Sequence, residues 1–523
     1  MIVESQIQID EISKADLKVA IQNDDETSTI DLDQSRESLL RKDLKNVMHP
    51  ARSDVKRDDF VSRKATNSRR SFIQRNFTKM GSGSLRGSIF AMIASAIGSG
   101  VLTFPKVFDE NGWILGIIMV IMGAVSCWWS LYMLVQRARH HNLYSYNEIA
   151  EKAGGPLLQR YLQICILVYI FANCLACTIV SKNYIWNESI IIVSEIVLIL
   201  SGNIGMPQSF TGRVDGPVTF YKVLIPIVFL GLFVFPLSLR RDVSKLRYFA
   251  LGSIIALTVT LLVVMFEMPF YVRQYHDTLS EEERKVVHSC PSFNFFNSAG
   301  IIFFAFTNHT SLLPVYNELD NPVKRRIMKV ISRSTFMVSI FYICMAMFGY
   351  FSTLGRTPDI IIARESLPDM QTDFFMIFTK VALLLVMVVN QVTNYMPFRY
   401  NLFQMVYEHD DISKKQNVIM TGIFYAIICI ISILLPNVIS VLGIFGGLTS
   451  TSICYFIPCK LLFLLTFIVF CYIKLRNMGD PFTSFKNILA MAFFGVLIVF
   501  GFLSIIASFI KFYDPQSSLL QCH

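Results

Sequence analysis

The fold of this chain is decided by residues 88–105, which read SIFAMIASAIGSGVLTFP. The stretch is apolar enough to enter a bilayer, yet its centre holds Gly98-Ser99-Gly100. Two glycines within three residues lower helix propensity, so we expect the helix to break there. An unwound turn leaves backbone N–H and C=O groups that lipid cannot satisfy. Such a break indicates a place where a bound polar molecule completes the hydrogen bonding.

A second interruption lies five spans later, where Phe306-Thr307-Asn308-His309-Thr310 forms a polar cluster inside an apolar run. Paired interruptions at corresponding positions of two halves predict an inverted repeat with a site near the bilayer midplane. The N-termini of half-helices favour a carboxylate, and free carbonyls suit an ammonium group or a metal cation. A zwitterion such as an amino acid fits both kinds of group.

The candidate substrate-binding residues lie in and beside the two interruptions. The alternative is that Gly98 and Gly100 only allow close helix packing. In the eighth span, Asn390, Thr393 and Asn394 are candidates for ion coupling or for the pocket, or else they form hydrogen bonds between helices. The substrate-binding set is Ser95, Ile97, Gly98, Ser99, Gly100, Phe306, Thr307, Asn308 and His309.

Composition predicts an all-α polytopic membrane protein. Of the 523 residues, 53% are apolar and 16% are charged, which is not typical of a soluble domain. Residues 461–473 are too short to cross alone and would add a twelfth span only with help. The eleven predicted spans are 87–107, 113–136, 158–181, 220–239, 247–270, 295–317, 333–355, 373–397, 416–436, 438–459 and 487–511.

The distribution of charge predicts the orientation. Residues 1–80 form a polar tail, expected to be disordered, that is acidic at first and basic near the first span. Lys and Arg, Arg399 among them, are concentrated in the loops on the same side as this tail, which indicates a cytosolic N-terminus. The tail is followed by a transmembrane domain at 84–512 and a short C-terminal tail at 513–523. The basic part could bind anionic lipid or could simply be solvated.

Several other classes of site are not indicated. No Cys or His pair has metal-ligand spacing, and neither a phosphate-binding glycine loop nor a nucleophilic constellation is present, so we expect no cofactor and no enzyme. The net charge of +9 follows the topology rule and does not imply nucleic acid. Of the 11 cysteines, only Cys290 and Cys522 lie in polar segments, where a bridge between them is conceivable.

Three ionisable residues inside the spans have alternative interpretations. His309 is the only ionisable side chain in the central part of the sixth span, and it could relay protons. It could equally be a neutral histidine that hydrogen-bonds a neighbouring helix. Glu267 and Lys380 lie nearer the ends of their spans, where snorkelling to the interface explains both.

Four motifs occur in a fixed order along the chain. The segment Ser88–Pro105 precedes Asn111-Gly112-Trp113, and Phe304–His309 continues to Tyr316–Leu319 and Asn321-Pro322. Together with Met396–Arg399, and with Val441–Gly447 followed by Ile457-Pro458, they resemble the amino acid/auxin permease family, which includes sodium-coupled, proton-coupled and vacuolar amino acid transporters. The resemblance covers the chain from about residue 84 onward.

The resemblance implies a five-plus-five inverted repeat of the LeuT-like type, with discontinuous helices 1 and 6, an extra final span and amino acid substrates. Two departures concern the coupling ion. Where sodium-coupled relatives carry an Asn in the first span, this chain has Ala91 and Ala94, which offer no side-chain ligand. In the eighth span it reads Asn390–Asn394 in place of a small hydroxyl residue and a Pro. Protons are therefore favoured over sodium.

The function expected from these observations is secondary active transport of amino acids by alternating access, in the plasma membrane or a vacuolar or endolysosomal membrane. The expected partners are an amino acid substrate and the lipid bilayer. The alternative is an amino acid sensor that signals through a cytosolic partner of residues 1–80.

Overall fold

A computed structural model of the chain describes residues 84–200, 226–239, 246–320, 322–364, 374–407, 413–435, 438–456 and 485–514. Every regular element within these ranges is helical, so the all-α prediction is confirmed. The predicted N-terminal tail at 1–80 and the short segment 461–473 lie outside the described residues.

All eleven predicted spans fall on helical segments, numbered here as spans 1 to 11. Spans 1 and 6 each consist of two short helices, whereas most of the others are continuous. The bounds are Leu85–Ala96 and Phe104–Asn111 (span 1), Trp113–His140, Pro156–Leu200, Pro226–Ser238, Leu246–Gln274, Asn294–Ala305 and His309–Glu318 (span 6), Lys324–Thr353, Phe374–Tyr407, Lys414–Leu434, Val438–Cys454 and Phe485–Tyr513 (span 11).

Length and hydropathy support membrane crossing directly. Seven described helices are long and apolar enough to cross a bilayer, and the count is eight when the two bent halves of span 1 are taken as one. Spans 4 and 10 are shorter apolar helices. The chain is therefore an integral, multi-pass membrane protein.

Packing between the spans has the symmetry of a repeat. Spans 1, 2 and 3 pack against spans 6, 7 and 8 respectively. Span 5 packs on span 8 as span 10 packs on span 3, and span 4 contacts span 8 as span 9 contacts span 3. Exchanging spans 1–5 with spans 6–10 therefore maps the first three contacts onto themselves and exchanges the other four in pairs. Because five crossings per half is an odd number, the second half enters the bilayer from the opposite face, as an inverted repeat requires.

Some boundaries differ from the prediction. Span 3 continues through Leu200, because the apolar run at residues 190–200 extends it. Span 7 begins at Lys324 rather than at residue 333, because Lys and Arg are good helix formers that let the helix extend beyond the apolar run. Arg399, assigned above to a loop, lies inside the helix of span 8 with only 1% of its surface exposed. Its guanidinium donates to the Asn417 Oδ1 atom at 2.8 Å.

Both predicted breaks are present. The first helix of span 1 ends at Ala96, and Ile97 and Gly98 are extended (φ −80°, ψ 105° and φ −132°, ψ −155°) before a 3-10 turn at Ser99–Thr103. The first helix of span 6 ends at Ala305, and the second begins at His309. The prediction that helices 1 and 6 are discontinuous is confirmed.

Candidate functional site

The two breaks lie side by side at the centre of the molecule. A Cβ atom placed on Gly100 would lie 3.5 Å from the Ala305 Cβ atom, an ordinary van der Waals contact, so the 3-10 turn of span 1 packs directly on the end of the first helix of span 6. Tyr342 of span 7 contacts both broken spans. Its hydroxyl lies 2.8 Å from the Ala96 carbonyl and 2.9 Å from the Ala305 carbonyl.

Carbonyl groups at the break of span 6 are largely paired within the protein. The Phe306 and Thr307 N–H groups donate to Ile302 and Phe304, and the Thr307 hydroxyl donates to the Phe303 carbonyl at 2.7 Å. The Tyr342 hydroxyl has one hydrogen for two carbonyls, so Ala96 and Ala305 compete for it. The carbonyls of Ala96 and Ala305 are therefore incompletely hydrogen-bonded by this hydroxyl.

The N-terminal ends of the second half-helices lack side-chain caps. Gly98 precedes the 3-10 turn of span 1, and Asn308 precedes the second helix of span 6; neither provides a side-chain cap. The first N–H groups of both elements carry the positive end of the helix dipole and have no cap from these residues. This arrangement suits a carboxylate or another anion.

His309 is fully buried and hydrogen-bonded on both sides. Its Nε2 atom lies 2.9 Å from the Ser130 Oγ atom of span 2, and its Nδ1 atom lies 3.1 Å from the Cys454 Sγ atom of span 10. The Ser130 hydroxyl donates to the Cys454 carbonyl, so its oxygen must accept from His309 Nε2–H. His309 Nδ1 then accepts from the Cys454 thiol. The neutral alternative considered for this histidine fits these contacts.

Two further side chains hold the break of span 6 in place. The Cys127 thiol lies 3.3 Å from the Phe306 carbonyl and 3.6 Å from Asn308 Oδ1, and the Tyr169 hydroxyl donates to the Thr307 carbonyl at 2.8 Å. Spans 2 and 3 therefore fix the unwound backbone through side-chain donors.

Asn390 of span 8 lies beside the break of span 1. Its Nδ2 atom would lie 3.3 Å from a Cβ atom placed on Gly98. The Asn394 side chain donates to the Asn390 carbonyl at 2.8 Å, and the Thr393 hydroxyl donates to the Val389 carbonyl at 2.8 Å. Much of the hydrogen-bonding capacity of this group is thus used within span 8.

Gln391 is a candidate that the sequence interpretation missed. It is fully buried beside span 3, where its carbonyl accepts from the Cys174 thiol at 3.9 Å. Its side-chain amide has no hydrogen-bond partner at either the nitrogen or the oxygen among the described residues. A buried amide without partners is costly, so this position is suited to a bound water molecule or a polar group of a ligand.

The remaining candidates differ in exposure. The Ser95 side chain is exposed and its hydroxyl donates to its own helix at Met92, so it does not join the other candidates. Ile97 is buried, and Gly98 is partly exposed; the side chain of Ser99 lies outside the described atoms. Phe306 is buried against Tyr342, with ring centroids 5.1 Å apart.

The face of span 1 opposite its N-terminal end is covered by the segment between spans 7 and 8. Its residues Ile360, Ile361 and Ile362 are buried, and the turn at Ile361–Ala363 packs against the turn at Ser99–Thr103. The site is thus closed on this side, whereas Gly98, Asn390 and Asn394 beside the first break are partly exposed.

The prediction that Glu267 snorkels to the membrane interface is wrong. It is buried in span 5, with 6% of its surface exposed, and forms an ion pair with Arg364 at the end of the segment between spans 7 and 8. The Arg364 guanidinium also lies 4.1 Å from the centre of the Tyr271 ring. Arg364 follows Glu267 by 97 residues in the sequence, so no local pattern predicts this pairing.

Among the described residues, no group of three or more His, Cys, Asp or Glu side chains is arranged to hold a metal ion.

Comparison with known proteins gives one family match over most of the chain. The sequence profile described as transmembrane amino acid transporter protein matches residues 81–513. Similar proteins include one from Plasmodium falciparum that bears the provisional name amino acid transporter AAT1. It is 23% identical over 509 residues, which cover 87% of this chain and 76% of that protein.

Two further relatives, from Plasmodium berghei and Toxoplasma gondii, bear the same provisional name. They are 25% and 26% identical and cover 57% and 56% of this chain. The matched region spans less than half the length of these two proteins, at 44% and 37%.

Two solved structures resemble the chain at low sequence identity. A crystal structure of MhsT in complex with L-phenylalanine has a TM-score of 0.46 and 13% identity, with 81% of this chain and 98% of that chain covered. A manganese transporter from Eremococcus coleocola has a TM-score of 0.42 and 12% identity, with 83% and 88% covered.

Proposed function

We propose that this chain, which belongs to the transmembrane amino acid transporter family, carries amino acids across a membrane by alternating access. Its membership rests on the family match over residues 81–513. Members of this family are transporters rather than enzymes. The substrate, the driving ion and the transport cycle of this chain belong to the proposal.

The observation that carries the proposal is the meeting of the two breaks. The uncapped starts of the second half-helices, after Gly98 and Asn308, lie where Gly100 approaches Ala305. An α-carboxylate is the anion that these N–H groups would bind. The carbonyl pair of Ala96 and Ala305, which shares one hydroxyl hydrogen, would accept from the α-ammonium.

The exposure of the site is consistent with one state of an alternating-access cycle. The isoleucines between spans 7 and 8 close one side, whereas Asn390 and Asn394, which lie along span 8 towards the end where span 1 begins, are partly exposed. With the N-terminus cytosolic, as the Lys and Arg distribution indicates, this state opens inward. The bundle that contains spans 1 and 6 would tilt to expose the site to the opposite face.

Protons are favoured over sodium as the coupling ion. Ala91 and Ala94 occupy the positions where a side-chain oxygen would be needed for sodium in span 1. Asn390, Thr393 and Asn394 remain candidates for ion coupling, because they lie beside the first break and are partly exposed.

The test is uptake of radiolabelled amino acids into proteoliposomes that contain the purified full-length protein. We expect uptake driven by an inwardly directed proton gradient and unchanged when sodium is replaced by choline. Uptake that requires sodium would overturn the choice of ion alone. Absence of uptake and of exchange for every amino acid would overturn the transport proposal.

A further inference from the structure

Arg399 of span 8 is a buried cation without a counter-charge among the described residues. Only 1% of its surface is exposed, and it takes part in none of the ion pairs that these residues form. Arg364, which is also buried, has the carboxylate of Glu267 as its partner. A buried charge is normally stabilised by a group of opposite charge, so the environment of Arg399 favours an anion.

The hydrogen bonds of the Arg399 guanidinium leave one of its edges unused. The Nη1 atom donates to the Asn417 Oδ1 atom at 2.8 Å and to the Ser238 carbonyl at 3.4 Å, and both acceptors are uncharged. The Nε atom is buried and has no hydrogen-bond partner, and no described residue accepts from Nη2. Because Nε and Nη2 share an edge of the planar group, they can donate together to two oxygen atoms of one oxyanion.

The side chains around this guanidinium fix its position without neutralising it. The Asn417 Nδ2 atom donates to the Leu239 carbonyl at 3.1 Å, which turns the amide oxygen of Asn417 towards Arg399. The rings of Tyr395 and Tyr400 have their centres 5.9 and 5.4 Å from the guanidinium carbon. Aromatic rings attract a cation but carry no net charge. The positive charge of Arg399 is therefore not compensated by these contacts.

The site lies at one end of the helix bundle, where spans 4, 8 and 9 meet. Ser238 is the last residue of span 4, and Asn417 is the fourth residue of span 9, which begins at Lys414. Even-numbered spans run opposite to span 1, so spans 4 and 8 end, and span 9 begins, at the face where span 1 begins. The distribution of Lys and Arg indicates that this face is cytosolic.

The site is close to the surface that contacts lipid. Ser238, Arg399 and Asn417 are each followed or preceded in the sequence by a residue that is exposed on the outside of the bundle. These exposed neighbours are Leu237, Tyr400 and Val418. A lipid head group in the leaflet at this face is therefore within a short distance of the guanidinium.

The charges beside the site have the same sign as Arg399. Two exposed lysines, Lys414 and Lys415, begin span 9, and the first turn of that helix contains no acidic residue. The N-terminal end of the helix adds a partial positive charge. Basic pockets between membrane helices on the cytosolic side are suited to anionic lipid head groups.

We propose that Arg399 binds the phosphate group of an anionic lipid through the edge formed by its Nε and Nη2 atoms. Asn417 and Ser238 position the guanidinium, and Lys414 and Lys415 attract anionic head groups to this corner of the bundle. A soluble phosphate has the same chemistry, but the neighbouring lipid-facing residues favour the lipid as its source. This proposal does not rest on the proposed transport function.

The experiment measures thermal unfolding of the purified full-length protein in a non-ionic detergent. Dioleoyl phosphatidic acid should raise the unfolding temperature, whereas dioleoylglycerol, which has the same acyl chains without the phosphate, should not. In Arg399→Gln the apparent affinity for phosphatidic acid should fall by about tenfold or more, because a charge-assisted, bidentate contact is lost. Arg399→Lys should also bind more weakly, since it keeps the charge and loses the edge.

The matched control is Arg325→Gln, which removes an exposed arginine near the start of span 7 at the same face and should keep the wild-type affinity. Native mass spectrometry of the wild-type protein adds a measurement that does not depend on how well a variant folds. Phosphatidic acid should stay bound to a larger fraction of the protein than dioleoylglycerol does.

Two results would overturn the site. One is equal stabilisation of the wild-type protein by the two lipids, and the other is an equal response of Arg399→Gln and wild type to phosphatidic acid. A third arm uses inorganic phosphate in place of lipid. Stabilisation by inorganic phosphate, with none by phosphatidic acid, would overturn the lipid as the source of the anion.

Discussion

The Tyr342 hydroxyl lies 2.8 Å from the Ala96 carbonyl, at the point where the first helix of span 1 ends. The same hydroxyl lies 2.9 Å from Ala305 at the corresponding end in span 6. A single side chain of span 7 therefore joins the equivalent breaks of the two repeats. Because Tyr342 is fully buried, water does not replace this donor when it is removed.

Replacing Tyr342 with Phe should reduce both stability and uptake. Two buried carbonyls lose their donor, which costs about 1–3 kcal/mol. Thermal unfolding and proteoliposome uptake provide the measurements. Tyr350→Phe is the matched control. It removes another hydroxyl from the same helix, one that accepts a hydrogen bond from the Val287 N–H group. Equal losses of uptake in both variants would refute a special role for Tyr342.

Breaking the ion pair between Glu267 and Arg364 should destabilise the protein strongly. Glu267→Gln leaves the buried Arg364 cation without its counter-charge, a change that typically costs about 3–5 kcal/mol. The control is Glu283→Gln, because the solvent-exposed pair of Glu283 with Arg356 contributes little to stability. Thermal unfolding of the two variants in the same detergent should rank them in this order. A smaller loss for Glu267→Gln than for the control would contradict the assignment.

His309→Gln should lower stability without shifting the pH profile of uptake. Both ring nitrogens already have partners in Ser130 and Cys454, and protonation of Nδ1 would remove the acceptor for the thiol. Uptake measured from pH 5 to 8 should therefore fall in rate but keep its midpoint. A displaced midpoint would restore the proton-relay interpretation.

Thiol labelling should detect the asymmetry of the site. Asn394→Cys lies on the partly exposed side and should react with a maleimide added from the cytosolic face, whereas Ile361→Cys is fully buried and should not. The wild-type protein, whose described free thiols are nearly all buried, gives the background. Faster labelling of Ile361→Cys than of Asn394→Cys would mean that the protein rests in the opposite state.

Acidification should destabilise the protein in part through His276, which lies outside the spans. Burial lowers the pKa of His276, whose ring nitrogen Nε2 donates to the Phe351 carbonyl at 3.2 Å. In the unfolded chain the histidine pKa is about 6.5, so the unfolded chain binds the proton more readily than the folded protein. The contribution of His276 is complete above that value and is lost progressively as the pH falls below it.

The control for this pH effect is His276→Gln, which keeps a donor for the Phe351 carbonyl but does not titrate. The difference in unfolding temperature between wild type and variant should change between pH 7.5 and pH 5. Asp359, whose pKa burial raises, is present in both proteins and cancels in the comparison. A difference that is constant with pH would show that His276 does not contribute.

The breaks were predictable because their signals are local. Gly98 and Gly100 weaken a helix wherever they occur, and the polar cluster at Phe306–Thr310 stands out in an apolar run. Their partners were not predictable. In the sequence, the partner residues look like ordinary apolar core residues. Only the tertiary packing places a carbonyl or a ring nitrogen beside the hydroxyl and thiol groups of Tyr342, Tyr169, Cys127 and Cys454.

The charged residues illustrate the same limit. Hydropathy places Glu267 near the end of a span, where a solvated carboxylate is the simplest expectation. Burial becomes acceptable only because Arg364 reaches it from a distant segment. Two residues so far apart in the sequence pair only because the tertiary fold brings them together, and no local sequence pattern predicts such a pair.

Gly349 in span 7 lies against both Pro105 of span 1 and Ile361 of the segment between spans 7 and 8. A Cβ atom there would collide with the ring of Pro105 and would lie 3.2 Å from the Ile361 Cδ1 atom. An alanine at position 349 would therefore force a shift of span 7, of Pro105 or of the Ile361 side chain, although it would change no residue of the candidate site. The spacing between these three parts of the chain is thus set by the absence of a side chain at a single position.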